Sequence, residues 1–544
     1  MRMQFTGFRR DAFFTRHQKD QHLNKRLFYF YDLWTNLVHM KIFCAYFKHL
    51  LKKFYWVFLL FLSQKSLTQN KISESAKLVL KQAILELGKG WDTIQSLKLE
   101  GYGTSFILDQ SERFEGPYIP AQINRSMLIV PAQQIMRVDE QQNDFVFGGN
   151  TTYLVNGEAI AVKDKEGIHA SDAYENLQDR LLLSPDVLFR KALASNSLHL
   201  QKDTVLQKTV QYVISFVYDN FPVRIFINKE TSMITAAEVI KPLKGDYARI
   251  WGDSEKMIYY SFWDLLDRNV HYPLQTDIYI NGYYKETFLI NHWELNPQIS
   301  IDSLTIPPDV ALDYRGRDVS TLNRYMENMK KNTKEIAKDI WLLPGPCNTT
   351  VVKQDDGIVV IESSYSSEYG EAIVQKVREL YPGSKIKAFI ATSDAWFHLG
   401  GIRPFATKNI SFYFPYRNEP LIRKILAANY KTFPDSLSLK GEGRMILKGV
   451  KDVTTIGEGN NEIRLFPYKT ETGDRMMMVY FPKQKILYCS DLFQPKGRDG
   501  KYWQPHYAWE VYHAIKEYHI DAIKFYAMHM ARLEDTSVLE HEFE

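Results

Sequence analysis

What most limits the fold open to this chain is a change of pattern near Pro307-Pro308. Before it, across residues 94–297, short stretches alternate apolar and polar side chains and are separated by turn formers: Gly101 and Gly103, Gly148-Gly149-Asn150, Asn156-Gly157 and Asp219-Asn220. A period of two sends successive side chains to opposite faces, so these stretches read as strands, and short turns between them pair strands antiparallel. The clearest hairpin joins residues 276–280 to 283–290 through Asn281-Gly282, because Asn-Gly accepts the positive φ values of a type I′ turn. One helix leads in: Ser73 can cap it, Ala76, Val79, Leu80, Ala83, Ile84 and Leu87 repeat at helical spacing, and Gly88 and Gly90 end it. A second helical stretch, residues 170–183 with 185–194, can cover one face of the sheet.

After Pro307-Pro308 and the polar stretch 315–333 the texture alternates. Residues 340–343, 349–353 and 358–361 are strand-like, 366–380 helical, 386–391 a strand, 419–428 helical, 476–481 and 486–488 strands, and 509–518 a helix. Alternating strands and helices predict an α/β layered domain. A chain of 544 residues is too long for one ordinary core. The division read from these patterns is an antiparallel β domain with one or two helices over 69–313, a linker over 314–333 and an α/β domain over 334–544. The layout of the first domain resembles the half-open β-barrel of lipoprotein-carrier-like domains, a resemblance of layout and not of motif.

The opening segment is different in kind. Arg9, Arg10, Arg16, Lys19, Lys25 and Arg26 are mixed with aromatics in no period. Met40 then begins a stretch with Lys41, Lys48, Lys52 and Lys53, an apolar run over 54–62, and small or polar residues over 63–69. That order is a secretory signal peptide. The expectation is an upstream extension over 1–39, a signal peptide over 40–68, and an exported, periplasmic protein; a membrane anchor at 54–62 is the alternative, although the run is short for a bilayer. Cys44 precedes the apolar run, which speaks against a lipid anchor, and Cys347 and Cys489 are too few and too distant in sequence to imply a disulfide framework. With a formal net charge of +4, 45% hydrophobic and 24% charged residues, the chain carries no nucleic-acid footprint. Membrane contact is expected only through the signal or anchor, and the substrate or ligand is left open.

Four segments carry a family resemblance. Trp341-Leu342-Leu343 through Asn348-Thr349-Thr350-Val351-Val352, with Asp355-Asp356-Gly357 and the strand after it, looks like the first hairpin of the metallo-β-lactamase superfamily. Thr392-Ser393-Asp394-Ala395-Trp396-Phe397-His398-Leu399-Gly400-Gly401 falls where that family has T-H-x-H-x-D-H-x-G-G. Tyr488-Cys489-Ser490-Asp491 matches the strand that delivers a bridging aspartate, and Ala527-Met528-His529 the last metal-binding histidine. The resemblance covers residues 339–534 in the family's order and implies an αββα sandwich with hydrolase-like chemistry. In the family, three histidines and a carboxylate hold one zinc, and an aspartate, two histidines and the same carboxylate hold a second, so that a bridging water ionises near neutral pH.

Carried over residue by residue, the resemblance leaves this chain a damaged site. Ser393 and Ala395 stand where the first two motif histidines belong, Phe397 where the aspartate belongs, and Thr472 near the third-loop histidine. The first metal position is reduced to Asp491. The second keeps His398, Asp491 and His529, a set that suits zinc or iron. The expectation is a hydrolase-like protein with one such ion; a binding or scaffold protein that keeps the fold without metal is the alternative. Asp394, Glu471 or Asp474 could add an oxygen if the loops bend inward, and Asp394 and Trp396 are candidate pocket residues. His513, beside the apolar side of the last helix formed by Trp509, Val511, Tyr512, Ile515 and Tyr518, reads as a partly buried core histidine. Cys489 should face away from Ser490 on its strand.

Overall fold

The computed structural model describes residues 73–543, apart from 109–110, 112, 144–147, 158, 171–175, 243–248, 268, 312–320, 346, 471, 495, 497–499, 501 and 503. The upstream extension and the signal or anchor segment read from the sequence lie outside the described residues. Ser75–Glu544 form one compact unit. Among the described residues no helix is long and apolar enough to cross a membrane.

The alternating stretches build one fourteen-stranded sheet whose edges are Gly167–Ala170 and His199–Leu200, with every pairing antiparallel. At roughly 4.8 Å between neighbours, so many strands laid flat would span on the order of 60 Å. Yet a single core takes in Met136, Tyr153 and Ile160 from one flank together with Ile214, Ile225 and Ile234 from the other. The sheet is therefore curled, and its concave side is filled by its own helices. Ala76, Leu80 and Ala83 come from the helix over residues 73–86 and Leu87 from the turn after it, Leu177 and Leu181 from Asn176–Leu182, and Val187, Leu188 and Phe189 from Pro185–Ala194. Buried ion pairs pin the middle helix to the sheet: Lys256 Nζ lies 2.8 Å from Asp179, and Arg180 lies 2.6 Å from Glu286, which Arg125 also meets at 2.8 Å. Each charge finds a partner inside, as burial requires. The Asn281-Gly282 hairpin forms as its turn chemistry dictates, with φ of 51° and 82°, between Val270–Ile280 and Tyr283–Leu295.

The second half holds two mixed sheets. In the first, Lys334–Ala337, Ile340–Leu343, Thr349–Gln354 and Gly357–Ile361 run antiparallel. Ile386–Ile390, Ile410–Pro415 and Met445–Val450 then add in parallel. The second comprises Thr454–Ile456, Ile463–Pro467, Met477–Phe481, Ile486–Tyr488, Lys524–Tyr526 and Glu534–Asp535. One apolar cluster joins Val352, Ile361 and Ile390 to Leu465, Val479 and Tyr488, and so draws on both sheets. The opposite faces are covered by helices. Val351, Val360 and Phe389 meet Ile373 and Val377 of Ser367–Leu380 and Leu421 and Ile425 of Glu419–Leu426. Met478, Tyr480 and Leu487 meet Val511 and Tyr512 of Pro505–Glu517. Cover on both faces is why Gly357–Ile361 and Met477–Phe481 are buried at every position and read as continuous apolar runs.

Part of the stretch read as linker is structured. Thr321–Asn332 is a helix with Met329 fully buried and Tyr325 edge-on to Tyr369, ring centroids 5.0 Å apart. Leu322, Tyr325, Met326 and Met329 fall at helical spacing, but the charged residues between them hide the stripe. The curled sheet also reaches the second half directly. Ile250 and Trp251 are buried among Trp396, Leu399 and Leu421, and the Asp253 N–H donates to the Asn429 carbonyl at 2.6 Å.

Candidate metal centre

The centre is assembled where strands of both sheets end. The Ile386–Ile390 strand runs into residues 391–395 and the 3-10 turn Trp396–Leu399, which carries His398. Gly400 and Gly401 follow because nothing larger fits. A Cβ on Gly400 would lie 2.3 Å from the Tyr365 carbonyl oxygen, and one on Gly401 2.1 Å from Ser363 Oγ. Asp491 follows the Ile486–Tyr488 strand after a left-handed turn at Ser490, and His529 follows Lys524–Tyr526.

These segments are laced together, largely through the backbone. The Met477 N–H donates to the Thr392 carbonyl, the Met528 N–H to the Ser490 carbonyl and the Asn348 N–H to the Met528 carbonyl, each at 2.9 Å. Ser490 Oγ and Thr392 Oγ1 lie 2.6 Å apart. Thr392 Oγ1 also meets Glu362 Oε1, which accepts from the Thr392 N–H at 2.6 Å. A hydroxyl has one proton. Given to Glu362, it leaves Ser490 as the donor toward Thr392.

His529 Nε2 stands 3.2 Å from Asp491 Oδ1, and His398 Nε2 3.8 Å from Asp491 Oδ2. The two imidazole rings are 5.9 Å apart, and Gln494 Nε2 donates to Asp491 Oδ1 at 2.5 Å. His398 is fully buried, whereas the His529 side chain is 28% exposed, so the centre meets solvent on the His529 side. Burial pushes the His398 imidazole down to about 4, with His529 adding to the effect and Asp491 opposing it. It is therefore neutral at physiological pH, the form that binds metal. A fourth group joins from the loop before Thr349–Gln354: Cys347 Sγ and one nitrogen each of His398 and His529 all lie within 4.8 Å of one another.

Ser393, Ala395, Thr472 and Trp396 serve packing and turns. Ser393 is buried, and its Oγ accepts from the Ala395 N–H at 3.2 Å. Ala395 lies in the cluster that joins the two sheets. The side chain of Phe397 and all of Glu471 fall outside the described residues. Thr472 turns to the helix behind it, its hydroxyl and N–H both meeting the Glu510 carboxylate. Asp474 pairs with Arg417 and, at 3.6 Å, with Arg113. Of the two candidate pocket residues, Trp396 is buried against Trp251 and Tyr283, both at 5.1 Å between rings. Asp394 is buried too. Burial drives its carboxyl up to about 8 against the pull of Arg475, and its Oδ2 has no hydrogen-bond partner.

Several residues with a bearing on the centre escaped sequence reasoning. Glu362, at the end of Gly357–Ile361, is buried at φ +69°, and burial pushes its carboxyl up to about 8, with Asp491 adding to the rise. Glu362, Tyr365 and Ser490 all hold left-handed backbone around the centre, a conformation that costs about 1–3 kcal/mol each for such residues. Glu510 is buried and turned inward, although a glutamate in a helix reads as solvent-facing. The rotation that brings it inward exposes His513, whose Nδ1 lies 2.9 Å from the Trp509 carbonyl, and leaves Trp509 42% exposed. The expectation of a partly buried His513 is thus corrected. Cys489 packs in the cluster under the Pro505–Glu517 helix while Ser490 Oγ faces Thr392, so the two point apart as expected, although both lie past the strand's end at Tyr488.

No family model matches the chain, and no curated protein matches it. Similar solved structures are metallo-β-lactamases. DIM-1 metallo-β-lactamase is 19% identical, the match covering 38% of this chain and 93% of that chain at a TM-score of 0.29. The metallo-β-lactamase from Pontibacter korlensis is 19% identical over 39% of this chain and 95% of that chain, TM-score 0.28. One from Erythrobacter litoralis is 14% identical over 38% and 92%, TM-score 0.27.

Proposed function

We propose that residues 334–544 form an αββα metallo-β-lactamase-fold domain, and that His398, Asp491 and His529 hold a single zinc or iron ion in an exported, hydrolase-like protein. The observation that carries this reading is the place of Asp491 between two imidazoles from separate chain segments, one carboxylate oxygen toward each. Asp491 Oδ1 lies 3.2 Å from His529 Nε2 and Asp491 Oδ2 3.8 Å from His398 Nε2, each near the roughly 3.3 Å that separates nitrogen and oxygen ligands on a tetrahedral zinc, and a small turn of the carboxylate would bring one oxygen to both. The two sheets that share a core, each covered outside by helices, support the sandwich.

When bound, the ion would lower the pKa of a water ligand and polarise the group under attack. The chain's own residues prepare for it. Burial keeps His398 neutral and ready to bind, Gln494 fixes the orientation of Asp491, and the exposed side of His529 is the approach for a substrate. Glu362, protonated up to about pH 8, is no base at neutral pH. Export rests on the order of charged, apolar and small residues over 40–68, and a mature N-terminus near residues 66–69 would support it.

Metal analysis of the purified protein tests the centre. About one zinc or iron per chain is expected, lost in His398→Ala combined with His529→Ala. Protein without stoichiometric metal, whose melting temperature ignores added metal in both forms, ends this reading. A non-catalytic scaffold is the second reading, favoured by the absorption of Ser393, Ala395 and Trp396 into packing. Metal-dependent turnover of an ester, thioester or β-lactam, abolished by Asp491→Ala, would exclude the scaffold.

A further inference from the structure

Resting on that single-metal reading, we infer that Cys347 is a further ligand to the same ion, making a Cys-His-His-Asp centre that selects a thiophilic metal such as zinc or cobalt over magnesium or manganese. The family motif does not supply this position. Cys347 lies in the first hairpin, between Ile340–Leu343 and Thr349–Gln354, on a chain segment separate from the other three ligands.

Three observations place it there. Its sulfur and the two imidazole nitrogens lie within 4.8 Å of one another, and among the described residues no other group of three His, Cys, Asp or Glu side chains is that close. A tetrahedral zinc separates sulfur and nitrogen ligands by about 3.6 Å, so a contraction of about 1 Å closes the set. The approach is also built into the backbone. Asn348, next in sequence, donates to the carbonyl of Met528, the residue before His529, and Tyr369 Oη holds the Cys347 carbonyl at 3.1 Å. Finally, Cys347 is 2% exposed and lies in the cluster between the two sheets, which also holds Met528 beside His529, whereas the other buried cysteine, Cys489, packs in the separate cluster under the Pro505–Glu517 helix.

The chemistry follows from the donor set. A coordinating thiol gives up its proton to solvent as the metal–sulfur bond forms, and thiolate with imidazole is the combination that suits zinc and cobalt. Cys347 would thus replace a ligand lost at the motif with one drawn from a different strand end. The centre would then be held by four protein groups, of which Asp491 already has a second partner in Gln494.

Cobalt substitution of the full-length protein tests the assignment, because a thiolate ligand gives a sulfur-to-cobalt charge-transfer band in the near ultraviolet. The band is expected in the wild-type protein and in Cys489→Ser. It should be absent in Cys347→Ser, which keeps the imidazoles and binds cobalt more weakly, by about tenfold or more. Cobalt bound without the band in the wild-type protein, whose folding is not in question, overturns the role of Cys347 while leaving the His398, Asp491 and His529 centre standing. A wild-type protein that binds neither cobalt nor zinc overturns both.

Discussion

Glu362→Gln should stabilise the protein, and by an amount that grows with pH. The Glu362 carboxyl titrates at about 8 in the folded protein against 4.5 for a free glutamate, chiefly because it is buried. For a carboxyl raised in this way the folded chain keeps a proton that the unfolded chain releases. Its contribution is intact below about pH 4.5 and is lost progressively as pH rises toward 8. A shift of that size corresponds to about 5 kcal/mol once pH passes 8, and to about 3 kcal/mol at pH 7. Glutamine has the same shape and never ionises. Its oxygen can keep accepting from the Thr392 N–H, while its amide stands where the carboxyl oxygen has no partner, a cost that is the same at every pH and leaves the pH-dependent gain to be read as the change in the difference.

Urea unfolding of both proteins between pH 4.5 and 8 measures this directly. The stability difference should be small at pH 4.5 and widen by about 1.4 kcal/mol per pH unit above it, flattening near pH 8. A difference that stays constant across the range would mean the carboxylate is ionised in the folded protein, and the reading of Glu362 as a neutral, buried acid would be wrong. So would a variant equally destabilised at every pH, which would show that ionised Glu362 is a needed acceptor.

Other perturbations probe the surroundings of the centre. The His398 imidazole should titrate near 4 by NMR in the metal-free protein; because its folded pKa is depressed, stability is full above about 6.5 and falls by about 3 kcal/mol as pH drops to 4, and a measured value at or above 6.5 would contradict its burial. Gly252→Ala should lower the unfolding free energy by at least about 1–3 kcal/mol, seen as a lower urea midpoint, since Gly252 has φ +61° and a Cβ there would lie 2.2 Å from the Asn429 carbonyl oxygen; an unchanged midpoint would mean this junction gives way easily. Trp251→Ala removes a ring buried against Trp396 and should cost about 3–5 kcal/mol, with loss of near-ultraviolet circular dichroism from the Trp251–Tyr283–Trp396 cluster as its signature.

Much of the fold is legible in the sequence because its local signals agree with its packing. Asn281-Gly282 sets its hairpin through turn chemistry alone, and Gly357–Ile361 announces a strand covered on both sides by being apolar throughout. Where local and tertiary demands diverge, the sequence misleads. Thr321–Asn332 carries its apolar residues at helical spacing, but the seven charged or amide side chains of the segment make it read as linker. Pro505–Glu517 misleads about its inward face, because the aromatic Trp509 suggests burial while Glu510 is the residue turned inward to satisfy Thr472. No local rule foretells that an acid will face the core; only the polar backbone and hydroxyl waiting there explain it.

The centre repeats this division at close range. His398, Asp491 and His529 are singled out by pattern, and the structure brings the three near one another: Asp491 and His529 follow strand ends closely, while His398 stands in a turn eight residues past Ile390. Three of the bonds that draw their segments together are made by backbone groups at Asn348, Met477, Ser490, Thr392 and Met528. Such bonds do not depend on which side chains stand at Ser393 and Ala395, so these segments stay together whatever those positions carry. Cys347 belongs to the same lacing, one residue from Asn348, and is brought beside His529 whether or not any pattern marks it. A site held by backbone bonds can exchange one ligand for another from a neighbouring strand end without a new fold, since the geometry that a replacement must satisfy is already in place.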